Sequence, residues 1–341
     1  MKSKLVTLSI LTLLLTACAN NEAPVDDKSE EESTIEEKQT NDAAPEVAEN
    51  IEFPEAELQK KDEGEPVLQL QEALTQIGYT IPTDGIYSDI LSWAITDFQL
   101  QTEELDVTGI YDEETRIALK KVLEEGITIE AGVGLPPLAE PAFTDSGSEV
   151  TGNPYDLLAV VNKGQALPDH YEPHDLVVPD VAFPFEEDLP KKQLRAPAAE
   201  ALEELFAAAE EAGHQLYAQS GYRSYDRQVA LFDSYSQEHG EEEANVFSAR
   251  PGESEHQTGL SMDITSEAVN YQLTTDFGNT PEGKWVAEHA HEFGFIISYL
   301  EGKEEITQYQ YEPWHLRYVG VRAATEIWEN DLTLEEYFTE N

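Results

Sequence analysis

Cysteine is nearly absent from this chain of 341 residues, which has only Cys18. An intrachain disulfide and a metal site built from several cysteines are therefore both excluded. Basic residues are also scarce, with 20 Lys and Arg against 70 Asp and Glu, and the formal net charge is −50 at pH 7. Such a charge repels phosphate backbones, so no nucleic-acid partner is expected.

The strong acidity has two explanations. It fits a solubility adaptation to a salty or otherwise harsh exterior, or it reflects long acidic linkers. Because the acidic excess continues into a predicted amphipathic helix that ends at a glycine, residues 194–213, the first explanation is favoured.

The N-terminus has the features of an export signal. Lys2 and Lys4 precede an apolar run, residues 5–15, which is too short to span a bilayer comfortably. The ending L-T-A-C at residues 15–18 resembles a bacterial lipobox, in which Cys18 receives a lipid. The resemblance implies a lipoprotein signal peptide, residues 1–18, and an extracytoplasmic protein anchored to the bacterial cell membrane and facing the cell wall. The alternative is an ordinary signal peptide with a chance cysteine.

Two segments have the composition of linkers. Residues 19–65 are strongly acidic and contain three prolines, one Phe and no Trp or Tyr, so they predict a disordered, extended tether. Residues 127–152 are rich in Gly and Pro without apolar periodicity, which predicts a second linker. A chain of this length accommodates two folded domains between and after such segments.

An internal repeat lies between the two predicted linkers. D-G-I-Y at residues 84–87 recurs 24 residues later as T-G-I-Y at residues 108–111, and each copy is followed by an amphipathic pattern. With the helix predicted ahead of them, this gives a small three-helix all-α domain, residues 66–126. V-L-Q-L-Q-E-A-L and the repeat together resemble the small helical peptidoglycan-binding domain of many wall hydrolases. The alternative is a generic helical spacer.

Residues 153–341 begin with an apolar run, residues 157–163, that predicts a strand. The segment then mixes predicted strands and helices without regular βαβ alternation, which favours an α+β domain. Within this domain, His256, Asp263 and His315 are of the nitrogen and oxygen ligand types that zinc accepts, and three protein ligands leave a fourth position for water. Glu312, three residues before His315, is placed to act as the base. We expect His256 to end a loop, with a tight turn at Gly259 before the strand that carries Asp263, and His315 to come from a separate strand that faces them.

The motifs around these residues are specific. S-x-H-x-x-G-x-x-x-D at residues 254–263, E-P-W-H-L-R-Y-V-G at residues 312–320, S-A-R-P-G-E at residues 248–253 and S-G-Y-R-S at residues 220–224 resemble the VanY-type D-alanyl-D-alanine carboxypeptidases, zinc peptidases of the lysostaphin and hedgehog-like group. The resemblance covers residues 153–341 and departs from the family at Ser261, where Ala is usual. It implies mixed helices around an antiparallel sheet.

The resemblance also assigns roles. The residues that match His256, Asp263 and His315 bind one Zn²⁺, the match to Glu312 is the general base, and the match to Arg223 stabilises the polarised carbonyl oxygen. A carboxypeptidase must also hold a terminal carboxylate. By proximity in the sequence, the candidates for substrate contact are Ser220, Ser224, Gln228, Ser254 and Gln257. The rival pair His289 and His291 is not expected to bind metal, because residues i and i+2 of a helix do not share a face.

The sequence therefore predicts a zinc carboxypeptidase that removes the terminal D-alanine from peptidoglycan stem peptides, with stem peptides and glycan as partners. One alternative keeps the site and changes the substrate, giving an L,D-carboxypeptidase on tetrapeptide stems or an endopeptidase of cross-links. Another is a catalytically silent wall-binding module, which is disfavoured because the base and all three ligands are kept.

Overall fold

The computed structural model describes residues 53–137 and 140–339 of the chain. The predicted signal peptide, Cys18 and residues 19–52 of the predicted acidic tether lie outside the described residues. The described residues belong to one structural unit. In the described part of the chain, no helix is both long enough and apolar enough to cross a membrane.

Three helices form the first part of the described chain: α1 Glu65–Ile77, α2 Asp89–Leu100 and α3 Glu113–Glu124. Each presents an apolar stripe to a common core, to which the fully buried Leu70, Leu74, Leu91 and Phe98 contribute. This confirms the three-helix domain that the repeat predicts.

A glutamine holds each of the two repeated turns. The side-chain oxygen of Gln71 accepts a hydrogen bond from the Gly85 amide at 2.8 Å. In the second copy, Gln99 accepts from the Gly109 amide at 2.9 Å. Both glycines have positive φ, 73° and 71°, a conformation that glycine adopts without the penalty of a Cβ. The repeat in the sequence thus corresponds to a repeated turn, which in each copy is hydrogen-bonded to a glutamine of the preceding helix.

The second part of the chain mixes short strands and helices. Its strands are β1 Ala142–Phe143, β2 Glu149–Val150, β3 Gln165–Ala166, β4 Leu176–Val177, β5 Leu194–Arg195, β6 Tyr217–Ser220, β7 Ser261–Thr265, β8 Phe295–Ile297 and β9 His315–Tyr318. Its helices are α4 Ala196–Glu211, α5 Tyr225–His239, α6 Glu241–Phe247, α7 Pro281–His289, α8 Glu304–Thr307, α9 Val321–Glu329 and α10 Leu334–Thr339. Its 3₁₀ turns are Pro190–Lys192, Glu255–Thr258, Glu267–Val269, Thr275–Asn279 and Ala290–Phe293.

The main sheet among the described residues has the order β6-β7-β9-β8, with every neighbouring pair antiparallel. Helix α4 shares a hydrophobic core with one face of it, since Leu202 and Leu205 belong to the same buried cluster as Met262 and Ile264 of β7 and Leu316 of β9. This architecture confirms the α+β class with an antiparallel sheet. The core lies between α4 and the sheet.

The other face of the sheet carries polar residues. Successive side chains of a strand point to opposite faces of the sheet. Asp263 of β7 is therefore on the other face from Met262 and Ile264. In the same way, His315 and Arg317 of β9 are on the other face from Leu316. The antiparallel register pairs Asp263 with His315 directly across the two strands. The sheet therefore has one apolar face for stability and one polar face for a site.

The apolar run at residues 157–163 does not form the predicted strand. Its carbonyl groups are instead satisfied by an arginine, since Arg317 Nη2 donates to the oxygens of Leu157 and Ala159 at 3.1 and 2.9 Å. The amide of Leu157 donates to the carbonyl of Thr108 in the helical part. The run is buried between the two parts of the chain, where no neighbouring strand in the described residues pairs with it.

The structure also differs from the predicted linkers. Leu58 is 5 % exposed and forms a β-bridge with Tyr111, so the chain is already folded before Glu65. The second predicted linker is ordered too. Two of its amides, those of Leu135 and Gly132, donate to the buried carboxylate of Asp97 in α2 at 2.7 and 3.0 Å. Neither contact follows from composition, because both join residues that are distant in the sequence.

Buried polar contacts join the helical part, which contains α1 to α3, to the mixed part, which contains β1 to α10. Asp156, whose side chain is 2 % exposed, accepts from Ser92 Oγ at 2.6 Å and lies 2.9 Å from Lys60 Nζ. Nearby, Asn153 donates to Thr96 Oγ1 at 2.8 Å. Because a buried carboxylate needs these partners, the helical part is held in place by more than a covalent connection.

The two ion pairs of Lys60, with Asp156 and with Asp89, allow a buried and an exposed carboxylate to be compared. Lys60 contacts the buried Asp156 and also Asp89, whose side chain is 89 % exposed. We expect Asp156→Asn to lower the free energy of unfolding by about 3 kcal/mol, because it weakens a buried ion pair. Asp89→Asn should cost less than about 1 kcal/mol, because exposed pairs contribute little. Urea unfolding of the full chain measures both, and equal losses would contradict the interface described above.

Candidate metal centre

Three elements bring the candidate ligands together. His256 lies in the 3₁₀ turn Glu255–Thr258, and Gly259 with φ of 70° ends that turn before β7. Asp263 is the third residue of β7, and His315 is the first residue of β9. The loop, the tight turn and the two facing strands are those that the sequence predicts.

The ligand atoms of His256, Asp263 and His315 converge. One donor atom from each residue lies within 4.8 Å of the others. Asp263 Oδ1 is 2.9 Å from His315 Nδ1, and Asp263 Oδ2 is 3.4 Å from His256 Nε2. The two imidazole rings are perpendicular, and all three residues are buried. No other group of this kind is found in the described ranges.

The hydrogen bonds behind the two histidines select their tautomers. His256 Nδ1 is 2.9 Å from the carbonyl oxygen of Gly221, which can only accept, so Nδ1 carries the proton and Nε2 is free to bind a metal. His315 lies between two carboxylates, with Nε2 2.8 Å from Glu255 and Nδ1 2.9 Å from Asp263 Oδ1, so both of its ring nitrogens carry protons in the metal-free chain. Nδ1 faces Asp263 and is the nitrogen that would lose its proton to a metal. Two imidazole nitrogens and one carboxylate oxygen make a donor set that fits zinc.

The protonation of these residues fits the same arrangement. Burial alone would raise the pKa of Asp263, but its contacts with His256 and His315 hold the pKa well below its usual range. Burial lowers the pKa of His256. Against burial, hydrogen bonds to Asp263 and Glu255 raise the pKa of His315 to about 10. In the metal-free chain His315 is therefore protonated, and a bound metal would displace that proton.

Glu312 lies on the loop that leads into β9. Its amide donates to the carbonyl of Tyr299 at 3.0 Å, and its own carbonyl accepts from the amide of His315 at 3.0 Å. Burial raises the pKa of its carboxyl to about 7, although His315 acts in the opposite direction. A carboxyl that exchanges its proton near neutral pH is suited to general acid–base chemistry.

Arg223 is fixed to the same centre. Its amide donates to the carbonyl of His256 at 3.1 Å, and its Nη1 donates to Gln228 Oε1 at 2.9 Å. Burial lowers the pKa of the guanidinium. The amide group of Gln228 is held in turn by the Ala249 carbonyl at 2.6 Å. Gln228 thus positions Arg223.

The other predicted substrate contacts have diverse surroundings. Ser224 caps α5 by accepting from the Arg227 amide at 3.2 Å. Gln257 donates to the Pro168 carbonyl at 2.9 Å. Ser254 precedes the 3₁₀ turn of His256, and Ser220 pairs with Asp263 in the sheet. The roles of these four residues and of Gln228 in substrate binding stay predictions.

His289 and His291 each stack on a different tryptophan and are not part of the group formed by His256, Asp263 and His315. His289 stacks on Trp285 with ring centroids 4.7 Å apart, and its Nδ1 is 2.8 Å from the Trp285 carbonyl. His291 stacks on Trp328 at 4.0 Å. Each ring therefore has an aromatic packing partner of its own.

Glu255 is the residue of the centre that the sequence reasoning missed. Its carboxylate contacts His315, Arg317 and Ser298, which lie about 40 to 60 residues further along the chain. The available signal was an acidic residue directly before His256 in an otherwise buried stretch. That signal is weak, because it does not show which residue the carboxylate contacts.

Two histidines and one aspartate on the polar face of an antiparallel sheet, next to a carboxyl of raised pKa, are the arrangement of a metal-dependent enzyme of the α+β class. Comparison with known proteins gives the family. Residues 191–321 match the model of VanY, D-alanyl-D-alanine carboxypeptidase, and residues 63–119 match that of a peptidoglycan binding domain. The chain belongs to the VanY carboxypeptidase family and carries an N-terminal peptidoglycan-binding domain.

Two relatives illustrate the membership. A protein of Bacillus subtilis (strain 168), described as a candidate carboxypeptidase, YodJ, is 56% identical over 192 residues, which are 56% of this chain and 70% of the relative. A D-alanyl-D-alanine carboxypeptidase of Enterococcus faecalis (strain ATCC 700802 / V583) is 33% identical over 227 residues, which are 62% of this chain and 81% of the relative.

Solved structures resemble the second part of the chain. The LdcB LD-carboxypeptidase is 54% identical with a TM-score of 0.57, and the match covers 59% of this chain and 94% of that one. A mutant of the vancomycin resistance D,D-pentapeptidase VanY, solved in complex with Zn(II), is 32% identical with a TM-score of 0.43, and the match covers 53% of this chain and 98% of that one.

The raised pKa of Glu312 predicts a pH-dependent stability. In the folded metal-free chain its carboxyl stays protonated up to about pH 7, whereas in the unfolded chain it ionises near 4.5. The free energy of unfolding must therefore fall as the pH rises through this interval. Glu312→Gln has no ionisable carboxyl at this position, so it does not lose this part of the free energy of unfolding as the pH rises. The difference in Tm between Glu312→Gln and the unsubstituted chain should therefore be more positive at pH 8 than at pH 5.

Thermal unfolding in EDTA at the two pH values measures this difference. The control is Glu305→Gln, the same chemical change at an exposed position of α8. Its Tm relative to the unsubstituted chain should be the same at both pH values. If Glu312→Gln behaved like this control, the carboxyl of Glu312 would not have the raised pKa.

Proposed function

We propose that the chain is a zinc-dependent carboxypeptidase that removes the terminal D-alanine from peptidoglycan stem peptides. The observation that carries the proposal is the convergence of His256, Asp263 and His315 next to two half-buried groups, Glu312 and Arg223. We assign residues 153–341 to the catalytic domain and residues 66–126 to the wall-binding domain. Membership of the VanY family supports the reaction class.

His256 Nε2, one carboxylate oxygen of Asp263 and His315 Nδ1 would hold the zinc ion. When bound, zinc supplies a Lewis acid that polarises the scissile carbonyl and lowers the pKa of water. The carboxylate of Glu312 accepts a proton from the attacking water and donates it to the leaving amine, which its pKa of about 7 permits. The guanidinium of Arg223 stabilises the negative charge that develops on the carbonyl oxygen.

The buried surroundings of these groups strengthen their interactions. Arg223 is tied through its amide to His256 and through its side chain to Gln228, so it needs little reorganisation during the reaction. Donors fixed in this way stabilise a developing charge better than solvent does, because their dipoles and charges are already oriented.

A second activity is favoured by one specific similarity. The LdcB LD-carboxypeptidase is 54% identical over 94% of its length, so we expect the same site to act on an L,D bond as well as a D,D bond. The two substrates differ in the configuration of the residue before the scissile bond. An endopeptidase of cross-links would use the same zinc ligands and the same base.

We propose that the protein acts outside the cytoplasm at the cell wall, attached to the membrane by a lipid on Cys18. The peptidoglycan-binding domain supports the wall location. The lipid rests on the L-T-A-C sequence alone. Because the helical part contacts the mixed part through buried polar groups, binding to glycan would keep the catalytic domain close to the wall. A silent binding module is disfavoured by the retained ligands and base.

The test is hydrolysis of purified muropeptides by the full chain in detergent with zinc. Pentapeptide and tetrapeptide stems are compared side by side, and mass spectrometry follows the loss of one alanine. We expect Glu312→Ala to lower kcat/KM by about 10²–10⁴-fold, as for removal of a general base. Loss of alanine that is undiminished in Glu312→Ala, or no loss from either stem, would overturn the proposed function.

Arg223→Ala tests the stabilisation of the carbonyl oxygen. We expect kcat to fall by about 10²–10³-fold, as for removal of one oxyanion-stabilising group, while zinc binding is kept because Arg223 is not a ligand. Arg227→Ala is the matched control, since Arg227 lies four residues further along the chain, in the first turn of α5, with an exposed side chain. A fall of similar size in both variants would exclude a specific role for Arg223.

A further inference from the structure

Glu255 lies behind the proposed metal centre and has no part in the reaction described above. Its residue is 5 % exposed. One carboxylate oxygen, Oε2, is 2.8 Å from His315 Nε2 and accepts from Ser298 Oγ at 2.7 Å. The other, Oε1, accepts from Arg317 Nη1 at 3.0 Å. A buried carboxylate with both oxygens engaged holds a defined position.

The contact with His315 decides which ring nitrogen is available. A carboxylate only accepts hydrogen bonds, so the proton between Glu255 and His315 belongs to Nε2. Nδ1 is 2.9 Å from Asp263 Oδ1 and carries the second proton in the metal-free chain. A metal bound beside Asp263 would displace the proton on Nδ1, while Glu255 keeps the proton on Nε2. Metal-binding histidines commonly donate their other N–H to a carboxylate, which fixes the tautomer and the orientation of the ring.

Arg317 and Ser298 keep Glu255 in place. Arg317 is fully buried, and its Nη2 donates to the carbonyls of Leu157 and Ala159. If Glu255 turned away from His315, the charge of Arg317 would lose its carboxylate partner in a region without solvent, which is strongly unfavourable. His315 is therefore backed by a rigid network of hydrogen bonds.

We propose that Glu255 is a positioning residue of the metal centre, which holds His315 in the tautomer and orientation that present Nδ1 to the metal. The inference rests on the proposed metal site. It names a carboxylate that sets the metal affinity without contacting metal or substrate. It also explains why a charged pair, Glu255 and Arg317, is buried behind the polar face of the sheet.

The first test is the zinc affinity of the full chain, measured in competition with a chromophoric chelator. Glu255→Ala should bind zinc about 10–100-fold more weakly, as for loss of a residue that orients a ligand. Glu255→Gln keeps the size and one acceptor oxygen, so its loss should be smaller. The control is Glu253→Gln, because Glu253 is buried two residues away and accepts from Ser146 and Ser148.

The second test is the tautomer of His315 in the zinc-loaded protein. Long-range ¹H–¹⁵N spectra of protein labelled with ¹⁵N-histidine should show a slowly exchanging proton on Nε2 of His315, and Glu255→Gln should speed its exchange. A proton on Nδ1 would overturn the proposal, and this readout decides the matter even if Glu255→Ala does not fold.

Zinc affinities of Glu255→Ala and Glu255→Gln within twofold of the unsubstituted chain would also overturn it, as would an equal loss in Glu253→Gln. These outcomes differ from failure of the proposed function. If the unsubstituted chain bound no zinc at all, the metal site itself would be refuted. If it bound zinc without hydrolysing stem peptides, the inference about Glu255 would stand while the activity would not.

Discussion

The pairing of Asp263 with His315 across two antiparallel strands is the constraint on which the rest of the site depends. The register of β7 and β9 sets these residues side by side, with Asp263 Oδ1 2.9 Å from His315 Nδ1. A slip of one residue would turn both side chains into the apolar core and bring Met262 and Leu316 to the polar face. The packing of α4 against that core therefore protects the site as well as the fold.

Charge compensation explains how so many ionisable groups are buried in one place. Asp263 is balanced by His256 and His315, and Glu255 is balanced by His315 and Arg317. For Glu312, burial outweighs the opposing effect of His315 and raises the pKa of the carboxyl to about 7. The same buried environment thus gives two carboxylates that stay ionised and a third that can exchange a proton, which is the division of roles that hydrolysis requires.

The sequence predicts most of the fold and the ligands because both leave local patterns. The repeated D-G-I-Y and T-G-I-Y turns mark the helical part, and the motif around His256 with E-x-x-H at His315 marks the donors. The apolar run at residues 157–163 was misassigned, since a buried segment whose carbonyls are satisfied by Arg317 has the same composition as a strand. Glu255 was missed because its partners are distant in the sequence, and such contacts exist only after the sheet has formed.

The proposed chemistry depends most directly on whether His256, Asp263 and His315 together hold one zinc ion. Anomalous diffraction at the zinc absorption edge, from crystals of the zinc-loaded full chain, tests it most directly. The account predicts one strong peak in the described domains, bonded to Nε2 of His256, a carboxylate oxygen of Asp263 and Nδ1 of His315. No peak at these three residues, or a peak at His289 and His291 instead, would contradict it.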